Sequence, residues 1–277
     1  MTSKRHISEL GLRILTAAVL IPLVLWLTYL GGIWFQLFVL LLAVLLANEL
    51  INNVAVESVG MLRALSAGLF LASGVLSIYG YVLIALGAGM AGAFICVYVS
   101  GLKSIRAIIL GAGIVFGNSA VVALIALRSG PEFGLIALLW LFGVVWSADT
   151  MAYVSGRLIG GPKLAPKISP NKTWAGFIGG TIGAGLAGFF LVRTIDVSSD
   201  VAVIVLSVIA AVIAQGGDLQ ESWAKRQLDI KDSGHLLPGH GGIWDRLDAL
   251  IVVAIFASVI GLVRGNDQSI AHNLMIW

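Results

Sequence analysis

Apolar residues run along this chain in nine long stretches, separated by short polar or turn-forming breaks. The stretches are 13–30, 33–51, 62–78, 80–99, 105–127, 134–156, 174–193, 200–217 and 248–264. Only Tyr79 and Gly80 separate the third from the fourth. Elsewhere the breaks are turn-like: Gly31-Gly32, Ser129-Gly130-Pro131 and Gly160-Gly161-Pro162. Stretches of about 20 apolar residues match the hydrocarbon thickness of a bilayer. Helices are the default there, because lipid offers no partner to an unpaired backbone group. The expected fold is an all-α polytopic membrane protein of about nine transmembrane helices.

Composition agrees with that pattern. The 277 residues are 59% hydrophobic and 11% charged, with a mean hydropathy of +1.01. A soluble domain carries about 25% charged residues, so this chain cannot cover a globule with polar surface. The first apolar run is too long for a cleavable leader and lacks a small-residue cleavage site. Cys96, the single cysteine, cannot form an intrachain disulfide. The positive-inside bias sets the expected orientation. With a cytoplasmic N-terminus, 14 of the 17 lysines and arginines fall on the inner side, leaving Arg128, Arg193 and Arg264 outside. Loops 157–173 and 218–247 are then cytoplasmic, and the pI of about 9.1 needs no nucleic-acid partner to explain it.

Charge is concentrated in one place. Residues 217–248 hold Asp218, Glu221, Asp229, Asp232, Asp245 and Asp248 beside Lys225, Arg226, Lys231 and Arg246, with His235 and His240. If the eighth helix continues, Asp218, Glu221, Ser222 and Lys225 share one face. Asp245 and Asp248 share another at the start of the last span. Carboxylates are hard oxygen ligands suited to Mg²⁺, which is commonly held by one or two of them plus substrate phosphates. The basic residues and the His240-Gly241-Gly242 turn are suited to phosphate. A plain solvated loop is the competing reading, and it fits Asp229 and Asp232 best. The two histidines lack a third soft ligand for zinc.

A second cluster lies upstream. Asp149 sits inside an apolar span, where a carboxylate marks a functional site by default and a structural bond to a neighbouring helix otherwise. Lys163, Lys167 and Lys172 follow in a loop ending Ser169-Pro170-Asn171-Lys172-Thr173-Trp174. Ser169 or Thr173 is placed to cap the next helix, and a helix N-terminus beside Lys172 suits an anion. The spacing is not that of a P-loop.

The run Ser222-x2-Lys225-Arg226-x4-Lys231-Asp232-x-Gly234-x2-Leu237-Pro238-x-His240-Gly241-Gly242-Ile243-x-Asp245-Arg246-Leu247-Asp248 resembles the signature of the bacterial phosphatidate cytidylyltransferases, or CDP-diacylglycerol synthases. Asp149-Thr150-x-Ala152-Tyr153 and Ile168-Ser169-Pro170-x-Lys172-Thr173-Trp174-x-Gly176 are similar to the same family. Ala224 and Ala175 depart from its pattern; the second stands where a Glu is frequent.

The resemblance implies transfer of the cytidylyl group of CTP to phosphatidic acid, with Mg²⁺, by a homodimer in the cytoplasmic membrane. Its metal-binding aspartates carry over to Asp218, Asp245 and Asp248, with Glu221 or Asp248 near a possible second cation. Lys225 and Arg226 are expected in the catalytic set. Asp149, Ser169, Lys172, Thr173, Ser222, Lys231, His240, Gly241, Gly242 and Arg246 are expected around substrate. Residues 134–277 are then the catalytic membrane region, and 1–133, about five spans, a dimer or lipid-packing part. The alternatives are a cation-coupled transporter, or a related lipid kinase or phosphatidyltransferase.

Overall fold

A computed structural model describes the chain except residues 1–5, 55–57, 195–199, 237, 238, 240, 266 and 267. His240, expected near substrate, therefore lies outside the described residues. The apolar stretches fold as helices α1 (His6–Leu30), α2 (Gly32–Asn53), α3 (Val59–Ile78), α4 (Val82–Ser100), α5 (Ser104–Arg128), α6 (Gly134–Leu158), α7 (Trp174–Val192), α8 (Asp200–Gln227) and α9 (Trp244–Val263). A short α10 (Ile270–Met275) follows.

Eight of them, α2 to α9, are long and apolar enough to cross a membrane. The ninth expected span is the exception. Its uninterrupted apolar part, Ile14–Leu30, is about 25 Å long at 1.5 Å per residue, short of a full hydrocarbon core of about 30 Å.

Connections of one to five residues join each helix to the next from α1 through α6. α5 is the most enclosed, with 61% of its most apolar window buried against 22% for α4. Leu83, Phe94 and Tyr98 of α4 are among the most exposed apolar side chains, as a lipid-facing helix requires. Inside the bundle, two polar side chains show how buried groups find partners. The Trp140 indole donates to Ser207 Oγ at 2.8 Å. The Arg128 guanidinium donates to the carbonyls of Thr28 and Tyr29 at 2.7 and 3.0 Å, satisfying the open end of α1.

Three expectations are corrected where the site is built. The eighth span does not stop at residue 217. α8 continues ten residues further, to Gln227, so Asp218 to Arg226 are helical and the 218–247 loop begins only at residue 228. The 157–173 loop holds a small antiparallel hairpin, β1 (Lys163–Ala165) and β2 (Ser169–Thr173), pairing Lys163 with Thr173 and Ala165 with Ser169. The last helix begins at Trp244, four residues before the expected start, which places Asp245 in its first turn.

Gly216 and Gly217, at the end of the eighth apolar stretch, have different surroundings. Gly216 faces open space. A Cβ on Gly217 would lie 2.6 Å from the Val252 side chain and 3.0 Å from the Asp248 carbonyl oxygen. Gly217 thus lets α8 approach α9 closely enough to bring Asp218 beside Asp248. Gly217→Ala is expected to destabilise by about 1–3 kcal/mol through overpacking. Gly216→Ala should be neutral or stabilising by up to about 1 kcal/mol from helix propensity. Thermal unfolding of the two detergent-solubilised variants checks the contrast; equal midpoints would contradict it.

Candidate active site

The charged ends of α6, α8 and α9 and the hairpin enclose a polar cavity of about 1390 Å³. Both clusters singled out in the sequence open into it. Asp149, Lys172 and Thr173 line one side. Asp218, Glu221, Lys225, Gly241, Asp245, Arg246 and Asp248 line the other.

Three carboxylates converge. One oxygen each of Asp218, Glu221 and Asp248 lies within 4.8 Å of the others, and Glu221 is buried. Asp218 and Glu221 are three apart on α8; Asp248 enters from the second turn of α9. Such closely set hard oxygen donors fit a divalent cation. Asp245, also expected as a ligand, is outside this trio. Its Oδ1 accepts from Lys225 Nζ at 2.7 Å. Its Oδ2 accepts from the backbone N–H of Gly242 at 2.9 Å and of Ser233 at 3.1 Å.

Lysines balance these acids. Lys225 Nζ lies 2.8 Å from Glu221 Oε1 as well as on Asp245, so one ammonium joins α8 to α9. Lys172, at the end of β2, pairs with Asp218 and links the two sequence clusters. The next residue, Thr173, caps α7 as expected: its Oγ1 accepts from the Gly176 N–H at 3.1 Å. A capping hydroxyl committed to the backbone supports the lysine's placement rather than offering a free ligand.

Some expected residues stand apart. Ser169, Ser222, Arg226, Lys231 and Gly242 do not line the cavity. Arg226 turns to the Ile230 carbonyl at 3.2 Å, Ser169 belongs to the hairpin, and Lys231 is exposed. Conversely, Tyr153, Arg157, Asp232 and His235 line the cavity although the sequence reading gave them no substrate role. Tyr153 and Arg157 are four apart on α6, and the guanidinium donates to the phenol oxygen at 2.6 Å. That i,i+4 spacing beside Asp149 was the available signal.

Glu49 was missed entirely. It lies inside the second apolar stretch and is only 6% exposed. Its carboxylate accepts from the N–H groups of Ile243 at 2.8 Å and Trp244 at 2.9 Å, and from Ser233 Oγ at 3.1 Å. The rule that drew attention to Asp149, a carboxylate within an apolar run, applies equally to it.

Comparison with known proteins covers nearly the whole chain, beyond the two segments that carry the sequence resemblance. The model of the cytidylyltransferase family matches residues 11–263. Phosphatidate cytidylyltransferases of Brucella abortus and Brucella suis are each 38% identical over 257 residues, 92% of this chain and 94% of theirs. That of Rickettsia typhi is 41% identical over 140 residues, 48% of this chain and 61% of its own. With a family match and an identity of this extent, laid over a cavity that gathers its acids and bases at one end of the helix bundle, the chain belongs to the cytidylyltransferase family.

Proposed function

We propose that this protein transfers the cytidylyl group of CTP to phosphatidic acid, giving CDP-diacylglycerol and pyrophosphate in phospholipid synthesis. The observation that carries the reading is the joint opening of Lys172, Lys225 and Arg246 with the Asp218–Glu221–Asp248 trio into one cavity at the end of a membrane bundle. A phosphate oxygen of phosphatidic acid attacks the α-phosphorus of CTP. A P–O bond forms, the bond to the β-phosphate bridging oxygen breaks, and pyrophosphate leaves. The nucleophile is already anionic near neutral pH, so no general base is needed. The task is to bring two polyanions together, and the cavity's cations do this by screening phosphate charge.

Asp218, Glu221 and Asp248 would hold Mg²⁺, while Asp245, engaged by Lys225 and two backbone N–H groups, stands beside them as the lysine's second anchor. When bound, the metal neutralises triphosphate charge and stabilises the leaving pyrophosphate. Lys225 keeps Glu221 and Asp245 oriented toward the same space. Lys172 is placed to exchange Asp218 for a phosphate. Arg157, held by Tyr153, adds a cation at the cavity's α6 side. The lipid tails remain in the bilayer while the nucleotide enters from water, which accounts for a membrane body around a cavity of this polarity. The reading places the cavity at the cytoplasmic face of the cytoplasmic membrane and the protein in a homodimer, with residues 1–133 as its packing part. Neither the relatives nor the geometry favours a transporter, a lipid kinase or a phosphatidyltransferase.

Purified protein given CTP, phosphatidic acid and Mg²⁺ in mixed micelles should form CDP-diacylglycerol and pyrophosphate in equal amounts. Asp218→Asn and Asp248→Asn should each lower kcat by about 10²-fold or more, the scale of losing one transition-state charge contact. Wild-type rates in both variants would overturn the metal assignment.

Lys225→Met leaves the buried Glu221 and the half-buried Asp245 without their cation. It should destabilise by about 3 kcal/mol, read as a shift in denaturant unfolding in micelles, whereas Lys225→Arg should retain most of that stability.

Orientation is checked by membrane-impermeant maleimide on intact spheroplasts, with native Cys96 buried. Arg193→Cys should label from outside, and Lys167→Cys only after the membrane is opened. The reverse pattern would contradict a cytoplasmic cavity.

A further inference from the structure

Helix α9 begins without a cap of its own. Its N-cap residue, Ile243, has no side chain able to accept a hydrogen bond. A buried carboxylate 194 residues earlier in sequence takes that place: Glu49 Oε1 accepts from Ile243 N–H, and Oε2 from Trp244 N–H. Among the described residues Glu49 has no cationic partner, so three donated hydrogen bonds and the positive end of α9 hold its charge.

The same carboxylate anchors the preceding loop. Ser233 gives its hydroxyl to Glu49 and its backbone N–H to Asp245, and its carbonyl accepts from Asn53 Nδ2 at 2.8 Å. Gly242 passes so close that a Cβ there would lie 2.6 and 2.7 Å from the two Glu49 oxygens. Glu49 and Asp245 thus share the adjacent amides of one short segment, 242 to 244. Asp245 continues through Lys225 to Glu221, and Asp248 is one turn further along the same helix.

We infer that Glu49 is a positioning residue for the reaction: it fixes the first turn of α9, and through it the placement of Asp245 and Asp248 against Asp218 and Glu221. The assignment rests on the cytidylyl-transfer reading for its kinetic consequence, while its structural basis is independent of it. It also gives the N-terminal half a direct part in the site.

The test is Glu49→Gln, which keeps the shape but turns one acceptor into a donor facing donors. Three quantities are measured on the full-length protein in micelles: the thermal midpoint, kcat and KM for CTP, and Mn²⁺ affinity by electron paramagnetic resonance without nucleotide. Glu49→Gln is expected to lower kcat and weaken Mn²⁺ binding, each by about 10–100-fold, as for other groups that orient metal ligands from behind. A lowered thermal midpoint with wild-type kcat and wild-type Mn²⁺ affinity would overturn the proposal and leave Glu49 as a fold staple. Should Glu49→Gln fail to fold, Ser233→Ala removes one of the three bonds, and unchanged kcat and Mn²⁺ affinity there would overturn it equally. A wild type that binds Mn²⁺ but turns over no CTP would refute the functional reading instead, with the Mn²⁺ comparison still deciding for or against Glu49.

Discussion

A carboxylate can be carried inside an apolar helix bundle only if something compensates its charge, because burial without a partner costs several kcal/mol. In this protein one ammonium meets much of that requirement. Lys225 lies against Glu221 on its own helix and Asp245 on the next, drawing the ends of α8 and α9 together. Lys172 compensates Asp218 in the same way from the hairpin. The pairing of cations with acids across three separate elements gives the cavity its shape, and the same cations are the natural partners of phosphate once substrate enters.

Close packing and electrostatics act together here. Gly217 allows the backbone approach that sets Asp218 beside Asp248, and Glu49 fixes where α9 begins. A cluster of acids on two helices has no fixed separation unless both helix register and helix spacing are set. The bundle sets the first through the α9 cap and the second through the small residue at the α8–α9 contact. The acids then face a large polar volume instead of one another's neutralising partners alone, an arrangement suited to cations and polyanions in exchange.

Much of this was legible in the sequence. The nine apolar stretches all became helices, because runs of this length leave the backbone no other way to satisfy itself. Thr173 at the head of α7 was readable as a cap, and Asp149 as an odd charge in an apolar run. What escaped notice did so for physical reasons. Gly216-Gly217 reads locally as a helix stop, yet tertiary contact with α9 carries the helix through it. The hairpin at 163–173 has weak strand propensity and is held by its surroundings. Glu49 was hidden because its partners are backbone amides nearly two hundred residues away, which no spacing rule reveals. Asp245 looks like the equal of Asp218 in the sequence, but in the fold its oxygens are engaged by Lys225, Ser233 and Gly242.

The central claim is that Asp218, Glu221 and Asp248 form one cation site opening to the nucleotide. Mn²⁺ titration followed by electron paramagnetic resonance tests it without relying on turnover. The account predicts saturable Mn²⁺ binding to the wild type, tightened by CTP, and weakened at least tenfold when any one of the three acids is replaced by its amide. Mn²⁺ binding that survives all three replacements unchanged would contradict it.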